Sequence, residues 1–371
     1  MDKKEREYMK LALELAGRGK GRVNPNPMLG AVIVKEGRII GEGWHRKWGG
    51  LHAEREALAN CSESPEGAEL YVTLEPCCHW GKTPPCTEAI IKAGIKRVVA
   101  GIPDPNPLVA GKGMKILEQH GIETKVGVLE EACRRINRVF FHYIRTKKPY
   151  VVMKYAVTAD GKIAAASGAS KWITGETARH RVQEDRGTYS AIMVGVGTVL
   201  ADDPLLTCRI PGGRNPVRII CDTRLRTPLD AQVVRTAKEV RTILATSCED
   251  EARHREYRER GCEILKVPEK DGHSDLKKLM EALGRMGIDS VFLEGGSTLN
   301  WSATEAGIVN QVQVYLAPKL FGGKGSKSPI GGAGAWTPAD CVTLSMPEIT
   351  LLGEDILLEY DVLEKEQSGR R

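Results

Sequence analysis

The chain has 371 residues, which is long for a single hydrophobic core and typical of two domains. It is 41% hydrophobic and 27% charged, as soluble globular proteins are, and its net charge of +6 is mild for this length. It contains no Lys/Arg block typical of a nucleic-acid-binding tail, no stretch long enough to span a membrane, and no signal-peptide pattern at the N-terminus. We therefore expect a cytoplasmic protein whose ten cysteines are mostly reduced.

The first half of the chain alternates between helices and strands. An amphipathic helix opens it, two strands follow around a turn at Glu36-Gly37, and the segments HAEREALANC, ELYVTLEP, PPCTEAIIKAG and IKRVVAGI then read as helix, strand, helix and strand. Two more predicted helices, GKGMKILEQHG and EEACRRINRVFFHYIR, complete this half. Alternation of this kind predicts a sheet covered by helices on both faces.

The pattern restarts near the segment TKKP, so we predict two domains, residues 1–146 and residues 147–371. In the second half, PYVVMKYAVTADGKIA, AIMVGVGT, PVRIICDT, TILATS and DSVFLEGG have the composition of buried strands, with helical segments among them. The last two strong segments, QVQVYLAPKLFGG and DILLEYDVL, are predicted to form an antiparallel pair.

The first chemical signal lies in LHAEREAL and TLEPCCHWGKTPPC. A catalytic zinc site takes three protein ligands and keeps its fourth position for water. The order H-A-E, then P-C and a later cysteine, is typical of zinc deaminases, in which the Glu moves protons and is not a ligand. We predict His52, Cys77 and Cys86 as ligands and Glu54 as the proton shuttle. Cys78 is then a bystander, because adjacent side chains point in different directions.

The spacing departs from the common P-C-x-x-C signature, because eight residues separate Cys77 from Cys86. The alternatives are plain buried thiols or a closed structural zinc site, in which His79 or Cys78 supplies a fourth ligand. Both leave the placement of Glu54 and the strand-to-helix context unexplained, so we favour the catalytic interpretation.

The string LEPC-x-H-x-G-K-T-P-P-C, preceded by NPMLGAVIV and GEGWH, closely resembles the bifunctional deaminase–reductase family of riboflavin biosynthesis. In the second half, VVMKYAVTADGKIA, SGASKWITG, VGVGTVLADDPLLTCR, LEGGS and APKLFGG resemble the reductase domain of the same family, in the same order. The resemblance covers nearly the whole chain. It implies an α/β protein with an N-terminal three-layer α/β/α cytidine-deaminase-like domain that binds Zn²⁺, and a C-terminal α/β dihydrofolate-reductase-like domain that uses NADPH.

The resemblance also implies which residues contact ligands. In the deaminase domain the substrate-binding residues would be Asn26 and His45 on the base or ribose, and His79, Lys82 and Thr83 on the phosphate. The residues that line the nicotinamide cofactor would be Ala156, Trp172, Thr198, Asp202 and Thr223, with Gly296, Ser297 and Thr298 on its phosphates. The residues that hold the reductase substrate would be Lys154, Ser170, Arg186, Leu206, Arg209 and Glu294.

On the residues alone, these roles stay open. A Lys and a His in a Gly/Pro-shaped loop suit a phosphate, but a solvated loop has the same composition. GVGTVL lacks the third glycine of a dinucleotide fingerprint, whereas Ser297 and Thr298 can cap the helix after LEGG, where backbone amides bind phosphate. Asp202 equally suits a turn, and Arg224 and Arg226 suit either a 2′-phosphate or the solvent.

We therefore predict a two-step enzyme: zinc-dependent hydrolytic deamination of 2,5-diamino-6-ribosylamino-4(3H)-pyrimidinone 5′-phosphate, then NADPH-dependent reduction of the ribosyl to the ribityl side chain. One alternative is a zinc deaminase of another nucleobase or nucleotide, RNA included, with a noncatalytic second half. Against this alternative, the sequence lacks the basic, aromatic-bearing pattern that is typical of a nucleic-acid-binding surface. The other is a zinc-stabilised ligand sensor, which would bind NADPH without consuming it. We expect no nucleic-acid or membrane partner, and a homo-oligomer formed through the reductase domain.

Overall fold

The computed structural model describes residues 3–80, 84–106, 109–323 and 325–363. The chain divides into two compact units, Met1–Lys147 and Lys148–Arg371, and this division falls one residue after the predicted boundary. Each unit has its own sheet and its own hydrophobic core. Within the described ranges, no helix has the length and apolar character that crossing a bilayer requires.

The described part of the first unit is a five-stranded sheet with six helices. Its strands are β1 (Gly30–Lys35), β2 (Arg38–Trp44), β3 (Glu69–Val72), β4 (Arg97–Ala100) and β5 (Glu123–Val126). Its helices are α1 (Lys3–Gly17), α2 (Ala53–Ala59), α3 (Cys86–Lys92), α4 (Lys112–Gln119), α5 (Glu130–Ile136) and α6 (Arg138–Thr146). The strand order is β2-β1-β3-β4-β5; the pairs β2/β1 and β1/β3 are antiparallel, and the remaining pairs are parallel.

Close helix–sheet packing places the start of α2 against the sheet. A Cβ atom at Gly43 in β2 would lie 2.3 Å from the backbone nitrogen of Ala57 in α2, so only glycine permits this approach. Strands β1 and β3 are almost continuously buried, as strands covered on both faces are. This packing fixes the position of α2, which begins directly after His52.

Two features of the first unit differ from the prediction. The segment predicted as one final helix is two helices, α5 and α6, separated by Asn137. The Asn137 side chain bonds both backbone groups of Met28, accepting from its N–H at 2.7 Å and donating to its carbonyl at 3.0 Å. Strand β5 was not predicted, because its four residues are polar or half-exposed at the sheet edge and lack a strong apolar pattern.

The described part of the second unit is built on a nine-stranded sheet and a small hairpin. Its strands are β6 (Tyr150–Thr158), β7 (Ala191–Gly195), β8 (Val217–Cys221), β9 (Thr242–Thr246), β10 (Glu263–Lys266), β11 (Glu269–Lys270), β12 (His273–Ser274), β13 (Ser290–Leu293), β14 (Gln311–Ala317), β15 (Glu348–Leu352) and β16 (Asp355–Asp361). Its α-helices are α7 (Glu176–Thr188), α8 (Val196–Asp202), α9 (Gln232–Arg235), α10 (Glu251–Glu259), α11 (Leu276–Arg285) and α12 (Ser297–Glu305). A 3₁₀ turn covers Pro338–Asp340.

The order of the large sheet is β10-β9-β8-β7-β13-β6-β14-β16-β15, parallel from β10 to β14. Strands β14 and β16 pair antiparallel, which confirms that prediction. The edge strands β10 and β15 were not predicted, since their exposed positions break the apolar pattern. Because β6, β7 and β13 are neighbouring parallel strands, their carboxyl ends lie at one edge, where α/β proteins place their ligands.

Candidate active sites

Three metal-ligating side chains meet in the first unit. Nδ1 of His52 lies 3.5 Å from Sγ of Cys77 and 3.4 Å from Sγ of Cys86, and the three ligand atoms all lie within 4.8 Å of one another. One imidazole nitrogen and two thiols are ligand types that zinc prefers. Three protein ligands leave a fourth position for water, so this donor set fits a catalytic zinc ion.

The ends of three elements bring these ligands together. His52 is the N-cap of α2, Cys86 is the first residue of α3, and Cys77 lies in the loop after β3. The backbone N–H of Cys86 donates to Sγ of Cys77 at 3.4 Å, and the N–H of Thr87 donates to the Cys77 carbonyl at 3.2 Å. The start of α3 is thus folded back onto Cys77, which explains how two cysteines nine positions apart in sequence share one site.

Glu54 lies in the first turn of α2 beside the ligands and is 1% exposed. Its Oε2 has no hydrogen-bond partner among the described residues. Burial raises the pKa of Glu54 to about 7, so its carboxyl group takes up and releases a proton near neutral pH. In contrast, a hydrogen bond from the Cys86 thiol lowers the pKa of Cys77 to about 4, which favours the thiolate that a metal binds.

A cavity opens beside this cluster, and three of the predicted substrate-binding residues line it: Asn26, His45 and His79. Nδ1 of His45 donates to the carbonyl of Leu51 at 2.8 Å, and burial lowers the pKa of His45. The neutral ring then accepts at Nε2 from the Asn26 amide at 3.1 Å. The other two predicted phosphate-binding residues, Lys82 and Thr83, lie outside the described residues.

Asp104 and Asn106 also line this cavity, and the sequence interpretation missed them. Both lie in the segment GIPDPNP, directly after β4. Polar residues that follow a buried parallel strand lie at the ligand-binding edge of the sheet, so this segment held a usable signal. The motifs that carry the family resemblance include the cysteine loop but not this segment.

A second cavity of about 300 Å³ lies in the second unit, at the low end of the range for small-molecule sites. The predicted residues that line it are Lys154, Ala156, Ser170, Trp172, Arg186, Arg209, Glu294, Gly296 and Ser297. At its floor, Arg186 binds Glu294 through two parallel hydrogen bonds of 2.6 and 2.9 Å. Burial would raise the pKa of Glu294, but the charges of Arg186 and Lys154 hold it below its usual value.

The other predicted reductase residues do not line this cavity: Thr198, Asp202, Leu206, Thr223 and Thr298. Thr198 donates its hydroxyl to the carbonyl of Gly295 at 3.3 Å and so lies beneath the turn after β13. Leu206 is 3% exposed, and its side chain packs into a hydrophobic cluster of the second unit. Thr223 lies at the end of β8, where its hydroxyl accepts from the N–H of Ser274 at 3.0 Å.

The turn after β13 has the form of a phosphate-binding turn. Gly295 and Gly296 have φ values of +80° and +89°, a region that other residues rarely adopt. Gly296 is the N-cap of α12, and no side chain among the described residues caps this helix, so the prediction that Ser297 or Thr298 caps it was wrong. Amides at an uncapped helix start are available to an anion, which fits the phosphates of a dinucleotide.

Helix α7 contributes two polar cavity residues that were not predicted, Arg179 and Gln183, beside the apolar Val182. The Arg179 guanidinium lies 4.7 Å from the centre of the Trp172 ring, and the Gln183 side chain accepts from the backbone N–H of Arg209 at 3.0 Å. With Arg186 they recur at intervals of four and three residues, which places them on one face of the helix. That polar periodicity was visible in the sequence.

Known protein families match both units. The model of the RibD C-terminal domain matches residues 149–358, and that of the cytidine and deoxycytidylate deaminase zinc-binding region matches residues 2–102. The riboflavin biosynthesis protein RibD of Actinobacillus pleuropneumoniae is 56% identical, over 96% of this chain and 95% of that protein. RibD of Escherichia coli K12 is 41% identical, over 95% and 97%.

Solved structures agree with this match. Acinetobacter baumannii RibD has a TM-score of 0.87 at 37% identity, and covers 98% of this chain and 99% of its own. The diaminohydroxyphosphoribosylaminopyrimidine deaminase/5-amino-6-(5-phosphoribosylamino)uracil reductase of Thermotoga maritima has a TM-score of 0.84 at 39% identity, with coverage of 97% and 99%.

The fold and the two sites define a deaminase–reductase, with a cytidine-deaminase-like first domain and a dihydrofolate-reductase-like second domain. Because the similarity extends over nearly the full length, the chain belongs to the RibD family of riboflavin biosynthesis proteins. It is a bifunctional enzyme with a zinc-dependent deaminase and an NADPH-dependent reductase. The predicted family, fold class, activities and cofactors are confirmed, which excludes the sensor and the deaminase with a noncatalytic second half.

Neighbouring cysteines provide a test of the ligand set. Cys86→Ser removes one of the three ligand atoms, so we expect the purified protein to hold far less than stoichiometric zinc. Cys78→Ser leaves the three ligand atoms intact and should hold as much zinc as the wild type. Metal analysis of both proteins by mass spectrometry measures this, and zinc lost from Cys78→Ser but kept by Cys86→Ser would contradict the assignment.

Proposed function

We propose that the two units act in order on one phosphorylated substrate. The first removes an amino group from 2,5-diamino-6-ribosylamino-4(3H)-pyrimidinone 5′-phosphate, and the second reduces its ribosyl group to ribityl. The observation that carries the proposal is the position of Glu54: a buried, protonatable carboxyl group beside three zinc-ligating atoms. A metal site with a purely structural role does not need such an acid.

In the deaminase site, zinc, when bound, supplies an activated water for attack on the amino-bearing carbon. Oε2 of Glu54 takes a proton from that water and delivers it to the departing amine, since a pKa of about 7 suits both transfers. The Asn26–His45 pair lines the same cavity and orients the base or ribose. Both residues are held by hydrogen bonds, so they meet the substrate in a fixed geometry.

Asp104 and Asn106 complete the deaminase pocket in this proposal. Their carboxylate and amide groups match the amino and carbonyl groups of a diaminopyrimidinone. The buried Nδ1 of His79 has no partner among the described residues, which leaves it available to the substrate phosphate together with Lys82 and Thr83. The family resemblance supports the roles of the last three.

In the reductase site, NADPH, when bound, supplies hydride to C1 of the ribose. The turn at Gly295 and Gly296 would hold its phosphates, and Trp172 would contact the nicotinamide, since all three residues line the cavity. Arg186 is engaged by Glu294 in a bidentate pair, so the exposed Arg209 is the arginine that binds the substrate phosphate.

Lys154 completes the reductase chemistry. Its side chain lines the cavity near the Arg186–Glu294 pair, and burial lowers its pKa. A lowered pKa makes the ammonium a better proton donor, so we assign Lys154 to proton delivery while the ribose ring opens. Glu294 accepts hydrogen bonds from the sugar hydroxyls.

We also propose a cytoplasmic location and a homo-oligomer formed through the reductase unit, with no nucleic-acid or membrane partner. All ten cysteines are free thiols, which suits a reducing compartment. In the edge strand β15, Ile349 and Leu351 are 65% and 74% exposed. An edge strand with exposed apolar side chains offers unpaired backbone groups to a second copy, which supports this choice of interface.

The proton shuttle is tested by Glu54→Gln, which keeps the size of the side chain but removes its acid. We expect zinc to be retained and deaminase kcat to fall by a factor on the order of 10² to 10⁴, because general acid–base catalysis is lost. The exposed Glu88 of α3 supplies the control, and Glu88→Gln should deaminate at the wild-type rate. Wild-type deamination by zinc-loaded Glu54→Gln would refute the shuttle.

The phosphate contact is tested by Arg209→Ala. Loss of one charge-assisted contact should raise the reductase KM for the deaminated substrate about tenfold or more. Arg285→Ala, in the last turn of α11, removes an equal charge from an exposed position away from the cavity lining and should leave this KM unchanged. An unaltered KM in Arg209→Ala, measured with saturating NADPH, would exclude this placement of the phosphate.

A further inference from the structure

We propose that Glu75 is a positioning residue for deamination. Its carboxylate fixes the pocket segment that carries Asp104 and Asn106 to the backbone that leads into the zinc ligand Cys77. The inference rests on the proposed function, in which Asp104 and Asn106 contact the pyrimidine. Glu75 itself does not have to touch the reacting atoms.

The Glu75 carboxylate is 3% exposed and accepts four backbone hydrogen bonds from one segment. Oε2 accepts from the N–H of Asp104 at 3.1 Å and of Gly111 at 2.9 Å. Oε1 accepts from Gly113 at 2.9 Å and Met114 at 3.3 Å. Hydrogen bonds to an ionised acceptor are stronger than those between neutral groups, so the segment is held at both of its ends.

These bonds fix the position of the pocket residues Asp104 and Asn106 relative to the loop that carries Cys77. The carboxylate of Asp104 accepts from the backbone N–H of Asn106 at 2.8 Å, so the two residues form one turn and move together. The backbone N–H of Glu75 also donates to the carbonyl of Ile102 at 3.0 Å. Glu75 precedes Cys77 by two residues, and its side chain therefore links the metal-ligating loop directly to the substrate-facing turn.

A close backbone contact reinforces the same junction. A Cβ atom at Gly113 would lie 2.2 Å from the carbonyl oxygen of Pro76, so α4 rests directly on the peptide that precedes Cys77. Gly113→Ala must push the two segments apart, because backbone atoms cannot yield as a flexible side chain can. A Cβ atom at Gly17 would meet no atom of the described residues within 4 Å, so Gly17→Ala is a matched control.

The substitution Glu75→Gln keeps the side-chain volume and replaces an acceptor oxygen with an amide that donates. That amide faces backbone N–H donors, so at least two of the four bonds are lost and the turn shifts. A misplacement of about 1 Å near reacting groups can cost about 100-fold in rate. Zinc binding should survive, because all three ligands and their own hydrogen bonds remain.

The test is a double-mutant cycle on deamination in full-length protein, with Glu75→Gln and Asn106→Ala alone and combined. Wild-type protein is assayed first with the diamino ribosylamino phosphate. We expect Glu75→Gln to keep zinc and reductase activity but lose about 100-fold in deaminase kcat/KM. In the Asn106→Ala background the same change should cost clearly less, because its effect passes through that turn. Gly113→Ala should behave like Glu75→Gln, and Gly17→Ala like the wild type.

Other results would overturn the inference. An equal loss in both backgrounds means that Glu75 acts elsewhere, and a loss below threefold means that it does not position the turn. Zinc-free or unfolded Glu75→Gln, judged by metal content and circular dichroism, would assign Glu75 to the metal site or to stability instead. A wild-type protein that does not deaminate this substrate would refute the proposed function itself, whereas an active wild type beside an unaffected Glu75→Gln refutes only the inference.

Discussion

Desolvation is the constraint on which the first unit depends. Its site gathers an imidazole, two thiols and a carboxyl group, with the three ligand atoms within 4.8 Å of one another. Glu54 and Cys86 are buried there, and His52 and Cys77 are half-buried. Such a cluster is unfavourable unless the backbone imposes it. Here the backbone does so through helix starts at His52 and Cys86, the N–H of Cys86 aimed at Cys77, and tight packing of α2 on β2. The buried strands hold the two helix starts and the Cys77 loop in place relative to one another.

The two units treat a buried carboxyl group in opposite ways. In the first, Glu54 forms no ion pair with any of the described residues, and burial raises its pKa to about 7. In the second, the pKa of Glu294 is held low, because Arg186 binds it bidentately and also donates to the carbonyl of Thr207 at 3.2 Å. A buried ion pair is tolerated when its hydrogen bonds are complete. The exchangeable proton of Glu54 suits hydrolysis, whereas the fixed negative charge of Glu294 suits hydrogen bonding to a sugar. The two residues are of the same type, so their environments separate the roles proposed for them.

Much of the fold and of the zinc site could be predicted from the sequence, because both depend on local sequence patterns. Metal ligands at strand and helix ends and the order of the family motifs are readable without a structure. Contacts between distant backbone and side-chain groups are not: the four bonds to Glu75 come from residues 29 to 39 positions away. The place of Asp104 and Asn106 in the cavity lining was missed for that reason, although their position after a buried strand was a usable hint. The edge strands β5 and β15 were not predicted, because their exposed positions lack a regular apolar pattern.

In the proposed function, two activities in one chain act on one substrate in a fixed order. A mass-spectrometric time course on the diamino ribosylamino phosphate, with and without NADPH, tests it most directly. We expect a deaminated product without NADPH, and its conversion to the ribityl compound only when NADPH is added. Reduction of the diamino compound before any deamination would contradict the order, and the absence of any deaminated product from zinc-loaded protein would contradict the assignment of Glu54 and its three neighbours.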